Sequence, residues 1–126
     1  MAKRRSLLMR VVRWLSLLGA LSVAVAMFAI CLASPSVLVF SKTNSFRHRD
    51  GIEGGAKALQ SIAKKNNWGM FHTENGAVFN QQDLVRFDAV VFLNASGDVF
   101  SEAQEQAFQA WMQAGGGWLG IHSAGD

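Results

Sequence analysis

The residues best suited to chemistry lie where apolar runs give way to polar loops. Trp118-Leu119-Gly120-Ile121 leads directly into His122-Ser123 among small residues. An imidazole there can act as general acid or base, ligate a metal, or wall a pocket by hydrogen bonding. Gly120-Ile121-His122-Ser123-Ala124 has roughly the spacing of a nucleophile elbow, but a histidine holds the central position and Ser123 stands one residue off it. Acyl transfer through an elbow is therefore poorly served. Earlier in the chain, Phe46-Arg47-His48 supplies a guanidinium that can clamp an anionic or hydroxyl-rich ligand and a second imidazole that can face His122. The same residues also fit a solvated Arg-His-Arg-Asp run at a helix start, with Asp50 as cap. Asn94, Ser96, Gly97 and Asp98 can hydrogen-bond a ligand or form an Asx-type turn. His48 and His122, with Asp98 or Asp126, give only two strong metal ligands where a catalytic zinc takes three from the protein, so metal and cofactor stay unassigned. Neither a Gly-x-Gly-x-x-Gly nor a Walker pattern occurs, which leaves a nucleotide site without support.

These groups need a frame. Val37-Leu38-Val39-Phe40 and Ala89-Val90-Val91-Phe92-Leu93 are continuous apolar runs, as expected of strands covered on both faces of a parallel sheet. Residues 68–73 read as another strand, with His72 structural within it, and 118–121 as a fourth. Ile52, Ala56, Leu59 and Ala63 recur at helical spacing, and Lys64-Lys65-Asn66-Asn67 closes that helix. Asn75-Gly76 reads as a turn and residues 80–86 as a short helix. Ser101 and Gln104 form a capping box ahead of Ala107, Phe108, Trp111 and Met112, and Gly115 ends that helix. The alternation predicts an α/β, flavodoxin-like three-layer sandwich with a parallel sheet. In strand order 2-1-3-4, the loops over 41–50, 94–100 and 122–126 converge beside the switch point between the first and third strands.

Charge is unevenly spread. Of a net +3, Lys3, Arg4, Arg5, Arg10 and Arg13 contribute five positive charges, while the rest of the chain holds seven basic residues against nine acids. With no basic face left to grip a phosphate backbone, nucleic-acid binding is not expected. Residues 14–33 are twenty in number and carry no charge. As a helix they would span about 30 Å, the thickness of a bilayer core. The arginines ahead of them predict a cytoplasmic basic segment (1–13), a transmembrane anchor or signal peptide (14–33), and an exported, periplasmic remainder held to the membrane or secreted. Cys31-Leu32-Ala33 is a passable cleavage site, whereas Phe28-Ala29-Ile30 is a poor lipoprotein match. The only cysteine, Cys31, lies in this segment, so residues 34–126 have neither a thiol nucleophile nor a disulfide.

Three ordered blocks, at 37–48 (Val-Leu-Val-Phe-Ser-Lys-Thr-Asn-Ser-Phe-Arg-His), 90–98 (Val-Val-Phe-Leu-Asn-Ala-Ser-Gly-Asp) and 115–124 (Gly-Gly-Gly-Trp-Leu-Gly-Ile-His-Ser-Ala), resemble the ThuA-like, trehalose-utilisation family. That family has the class I glutamine amidotransferase-like fold. The resemblance implies that residues 36–126 are the N-terminal part of such a domain, and that His122 stands where amidotransferases carry their cysteine. It also implies a link to carbohydrate metabolism. Asn44-Ser45 replaces the family's common Asn-Gly, and Gly125 stands where a second alanine is frequent. The expectation is a domain that binds or processes a carbohydrate or modified sugar, with His122, Ser123 and His48 as catalytic candidates and Arg47, Asn94, Gly97 and Asp98 as substrate-binding ones. The alternative is a non-catalytic sugar-binding or interaction module. The segment 34–126 on its own is expected to be marginally stable, because strand 118–121 would expose an unpaired edge.

Overall fold

The computed structural model describes residues 34–124, so the apolar segment 14–33 lies outside the described residues. Among the described residues no helix is long and apolar enough to cross a membrane. The chain forms β1 (Ser36–Phe40), α1 (Arg49–Lys65), β2 (Gly69–Thr73), a 3-10 turn (Gly76–Val78), α2 (Gln81–Leu84), β3 (Ala89–Leu93), α3 (Glu102–Gln113) and β4 (Gly117–Ile121). All strand pairs are parallel and the sheet order is β2-β1-β3-β4.

Period-two side-chain alternation sorts the apolar strand residues into two layers of core. On one face Leu38, Phe40, Val90 and Phe92 pack with Phe79, Leu84, Phe87, Phe108 and Trp111. The other face carries Val39, Val91 and Leu93, covered by Ala56 and Leu59 of α1. Helices thus flank the sheet on both sides. The first core is aromatic: Phe79 meets Phe40 edge-on at 4.7 Å between ring centroids and Phe108 at 5.4 Å. Burying side chains of this kind contributes about 1.5–3 kcal/mol each, which anchors β1 and β3 as the rigid centre of the sheet.

Local signals explain most element ends. The Ser101–Gln104 capping box is present in both directions. Past α3, Gly115 sits at φ 105° and its N–H donates to the Met112 carbonyl at 3.0 Å. Asn75 Oδ1 accepts from the Ala77 N–H at 3.0 Å and opens the 3-10 turn that follows it. The departure is at α1, which starts at Arg49, inside the stretch expected to be loop. Asp50 is consequently a first-turn residue and not the cap. Its carboxylate still favours the positive end of the helix there, while His48 takes the N-cap position without a side-chain capping bond.

β4 is an edge strand, with Trp118 50% and Leu119 53% exposed. An apolar groove of about 420 Å³ opens beside it, lined by Val37, Leu59, Ile62, Trp68, Val91 and Trp118 among others. It lies toward the N-terminal ends of the strands, away from His48 and His122.

Two adjacent glycines of α1 separate packing from helix propensity. A Cβ on Gly55 would stand 2.6 Å from Leu93 Cδ1, and Leu93 is 1% exposed and cannot easily retreat. A Cβ on Gly54 meets nothing within 4 Å. Gly55→Val is therefore expected to destabilise the fold by about 1–3 kcal/mol through overpacking. Gly54→Ala should stabilise it by about 0.5–1 kcal/mol. Urea unfolding of the two variants beside wild type checks both signs.

Candidate functional site

The strand order brings the loops after β1, β3 and β4 to one end of the sheet, and backbone contacts knit them together. Thr43 bridges Ser96 in parallel fashion, and the Asn44 N–H donates to the Ser96 carbonyl at 2.9 Å. Ser96 Oγ donates back to the Phe46 carbonyl at 2.7 Å, and Ser96 is buried. Lys42 Nζ reaches the Val99 carbonyl at 2.9 Å. Asn44 Nδ2 donates to the carbonyl of Asp98. Gly97, at φ 73°, lies under this contact, because a Cβ there would come within 3.0 Å of Ser45. Its visible contribution is to let the two loops close on each other.

The centre of the site is a pair of imidazoles. His48 and His122 meet edge to face with ring centroids 4.5 Å apart, and Phe46 also packs edge-on against His48 at 4.6 Å. His48 is delivered by the N-terminus of α1 and His122 by the end of β4. His122 has φ 58° and Asn94, ending the neighbouring β3, has φ 51°. Few non-glycine residues adopt this left-handed region, and Asn and His are among those enriched there. The Asn94 N–H still donates to the Ile121 carbonyl at 3.1 Å, so the β3–β4 ladder holds to the point where both chains turn. Asn94 is only 5% exposed, and its carboxamide has no hydrogen-bond partner among the described residues. Beside His122, Ser123 Oγ is buried and likewise without a partner among them.

Arg47 faces another neighbour. Its guanidinium forms a two-pronged ion pair with Glu74, at 2.6 and 3.0 Å, and reaches Thr43 Oγ1 at 3.3 Å. This contact holds the Glu74 carboxyl below the ordinary carboxylate range against an opposing effect of burial, and keeps Arg47 more firmly protonated. Glu74 was not among the sequence candidates. Its position immediately after β2, which pairs with β1, is the signal that could have found it. Ser41 was also missed: it is fully buried, with Oγ 2.7 Å from His72 Nε2, so His72 ties β2 to the start of the same loop. The Asp98 side chain is on the exposed rim, and Asp126 lies outside the described residues. Among the described residues no group of three histidines, cysteines or carboxylates comes close enough to hold a metal.

The family model described as ThuA, trehalose utilisation, matches residues 36–126. Among solved structures, a ThuA-like protein from Bacteroides uniformis superposes with a TM-score of 0.62 at 20% sequence identity. The match covers 72% of this chain and 38% of that one, so this chain spans well under half of that protein's length. No curated protein matches.

The Arg47–Glu74 pair sets a pH dependence whose sign is fixed. A carboxyl depressed in the folded state stabilises above its unfolded value of about 4.3 and loses that contribution as pH falls through the folded value. The pair is roughly half-exposed, at 40% and 46% of the two side chains, so the effect is modest. Wild type is expected to exceed Glu74→Gln in thermal midpoint at neutral pH, with the gap closing in acid. Melting curves across the acid range test this, and a gap independent of pH would refute it.

Proposed function

The chain belongs to the ThuA trehalose-utilisation family, and from that premise we propose that the crevice between His48, Asn94 and His122 binds and processes a carbohydrate. One observation carries the reading: two imidazoles 4.5 Å apart stand at the carboxyl ends of parallel strands, beside the topological switch point. Open α/β sheets hold their ligands there, and imidazoles can exchange protons with sugar hydroxyls near neutral pH. His122 serves as acid or base, His48 orients it or takes the complementary role, and Ser123 and Asn94 offer hydrogen bonds to the sugar. Arg47, fixed by Glu74, lines the rim, with Asp98 across the loop. A histidine at the centre of the turn favours proton transfer or ligand orientation over acyl-enzyme chemistry. A non-catalytic sugar-binding module is the second reading, favoured by the lack of a third ionisable metal-ligating group beside the two imidazoles among the described residues.

His122→Asn is the informative variant, because asparagine also tolerates the left-handed backbone while losing the imidazole. Trehalose and a panel of mono- and disaccharides, screened by ligand-observed NMR against the whole chain, should yield a binder. Its conversion is expected to fall about 100-fold or more in His122→Asn if the imidazole moves a proton. Unchanged turnover in that variant sinks the enzymatic role of His122. Binding without any turnover in wild type selects the module.

We propose in addition that this domain is exported. Its support is the five basic residues before position 14 followed by twenty uncharged ones. A periplasm-dependent reporter fused after Val39 is expected to be active. Activity only from a cytoplasm-dependent reporter at the same site would refute export.

A further inference from the structure

The N-terminus of α1 gathers hydrogen-bond donors that have no partner among the described residues. α1 is seventeen residues long, and its N-cap, His48, makes no side-chain capping bond. The Arg49 N–H turns back to the Arg47 carbonyl at 3.0 Å and the Ile52 N–H to the His48 carbonyl at 2.9 Å. The N–H groups of Asp50 and Gly51 find no acceptor among the described residues. Into this end of the helix comes the Asn94 carboxamide: Nδ2 lies 3.2 Å from where a Cβ on Gly51 would stand. Asn94 is 5% exposed, and its carboxamide makes no hydrogen bond to any described residue. The His48 side chain borders the same spot, with Cβ 3.6 Å from that position on Gly51.

We propose that Asn94 and the free N–H groups of Asp50 and Gly51 form a receptor for an anionic group, a carboxylate or phosphate, carried by the sugar ligand. The inference rests on the sugar-binding reading above and narrows it to acidic or phosphorylated sugars. A helix N-terminus carries about half a positive charge, and its amides point at the ligand. The carboxamide adds a directed donor, and the glycine at 51 lets it come up against the helix end. His48 and His122, next to this point, then face the body of the sugar and not the anion's own end. Asp50 is the only acidic residue in the first turn of α1 and opposes an incoming anion.

Isothermal titration of the whole chain with trehalose, glucuronate, glucose 6-phosphate and inorganic phosphate tests this. One charged sugar is expected to bind at least about tenfold more tightly than trehalose, since hydrogen bonds to ionised groups are roughly twice as strong as neutral ones. Glucuronate and glucose 6-phosphate distinguish a carboxylate from a phosphate. Asn94→Asp, which keeps shape and tolerates the backbone, should abolish the preference for charge, and Asn94→Gly, which leaves the left-handed backbone unstrained, should weaken it. Asp50→Asn should tighten binding about two- to fivefold by removing the opposing charge. Circular dichroism of each variant separates loss of binding from loss of fold. Trehalose binding at least as tightly as both charged sugars would overturn the anion receptor and leave the sugar reading intact. Charged sugars binding equally well to Asn94→Asp would also overturn it. Inorganic phosphate binding in an Asn94-dependent way, with no sugar bound, would keep the receptor and remove the sugar. Silence from all four ligands would overturn both.

Discussion

The site depends on two neighbouring parallel strands ending in the same unusual way. Asn94 and His122 both turn into the left-handed region, at φ 51° and 58°. Each such residue costs on the order of 1–3 kcal/mol, and the cost is met by the sheet that holds them. Behind Asn94 lies Leu93, 1% exposed, and behind both strands stands the ring cluster of Phe40, Phe79, Phe92 and Phe108. Because β3 and β4 are in parallel register, Leu93 opposite Ile121, the two turns occur side by side. A turn of ordinary hand at either residue would send the following loop elsewhere, and the contact between His122 and His48 would go with it.

The consecutive residues Arg47 and His48 show how one loop serves two sides of the crevice. The peptide between them bends as α1 begins, so the guanidinium pairs with Glu74 beyond β2 while the imidazole meets His122 beyond β4. Strand order makes this possible: β1 lies between β2 and β3, and its loop is the only one of the three that can reach both flanks. Arg47 thus braces the loop and His48 faces its interior. Removing the brace frees a cation at the rim without touching the imidazole pair.

Much of the frame was legible in the residues. Val37 to Phe40 and Ala89 to Leu93 lack a polar side, and only a strand buried on both faces tolerates that; they became the central strands. Ser101 and Gln104 encode their cap locally, within four residues, and the structure has both halves of it. The order 2-1-3-4 then puts the three polar loops together. Other features were hidden for physical reasons. Periodicity reports which face of a helix is buried, but first-turn residues are half exposed and carry no such signal, so the start of α1 at Arg49 could not be read. The Arg47–Glu74 pair joins positions 27 apart in sequence and depends on side-chain reach across two strands. The left-handed turn at Asn94 was masked because asparagine is equally at home in ordinary loops.

The chemistry open to this arrangement follows from what it holds and from what the sequence denies it. Residues 34–126 contain no cysteine, so a thioester route is closed to them, and Ser123 Oγ is buried rather than presented at the apex of the turn. What remains are two imidazoles able to exchange protons, a largely buried carboxamide, and the exposed N-terminus of a seventeen-residue helix. Such a set can orient a polar ligand and shuttle a proton on it without forming a covalent intermediate. The carboxamide and the helix end impose the stricter condition. Asp50 and Gly51 are exposed, so their N–H groups are open to a ligand from solvent. A sugar hydroxyl can accept from these donors too, but it brings no charge. An oxyanion accepts from several donors at once and benefits from the helix dipole, so donors gathered at this helix end favour charge on the ligand.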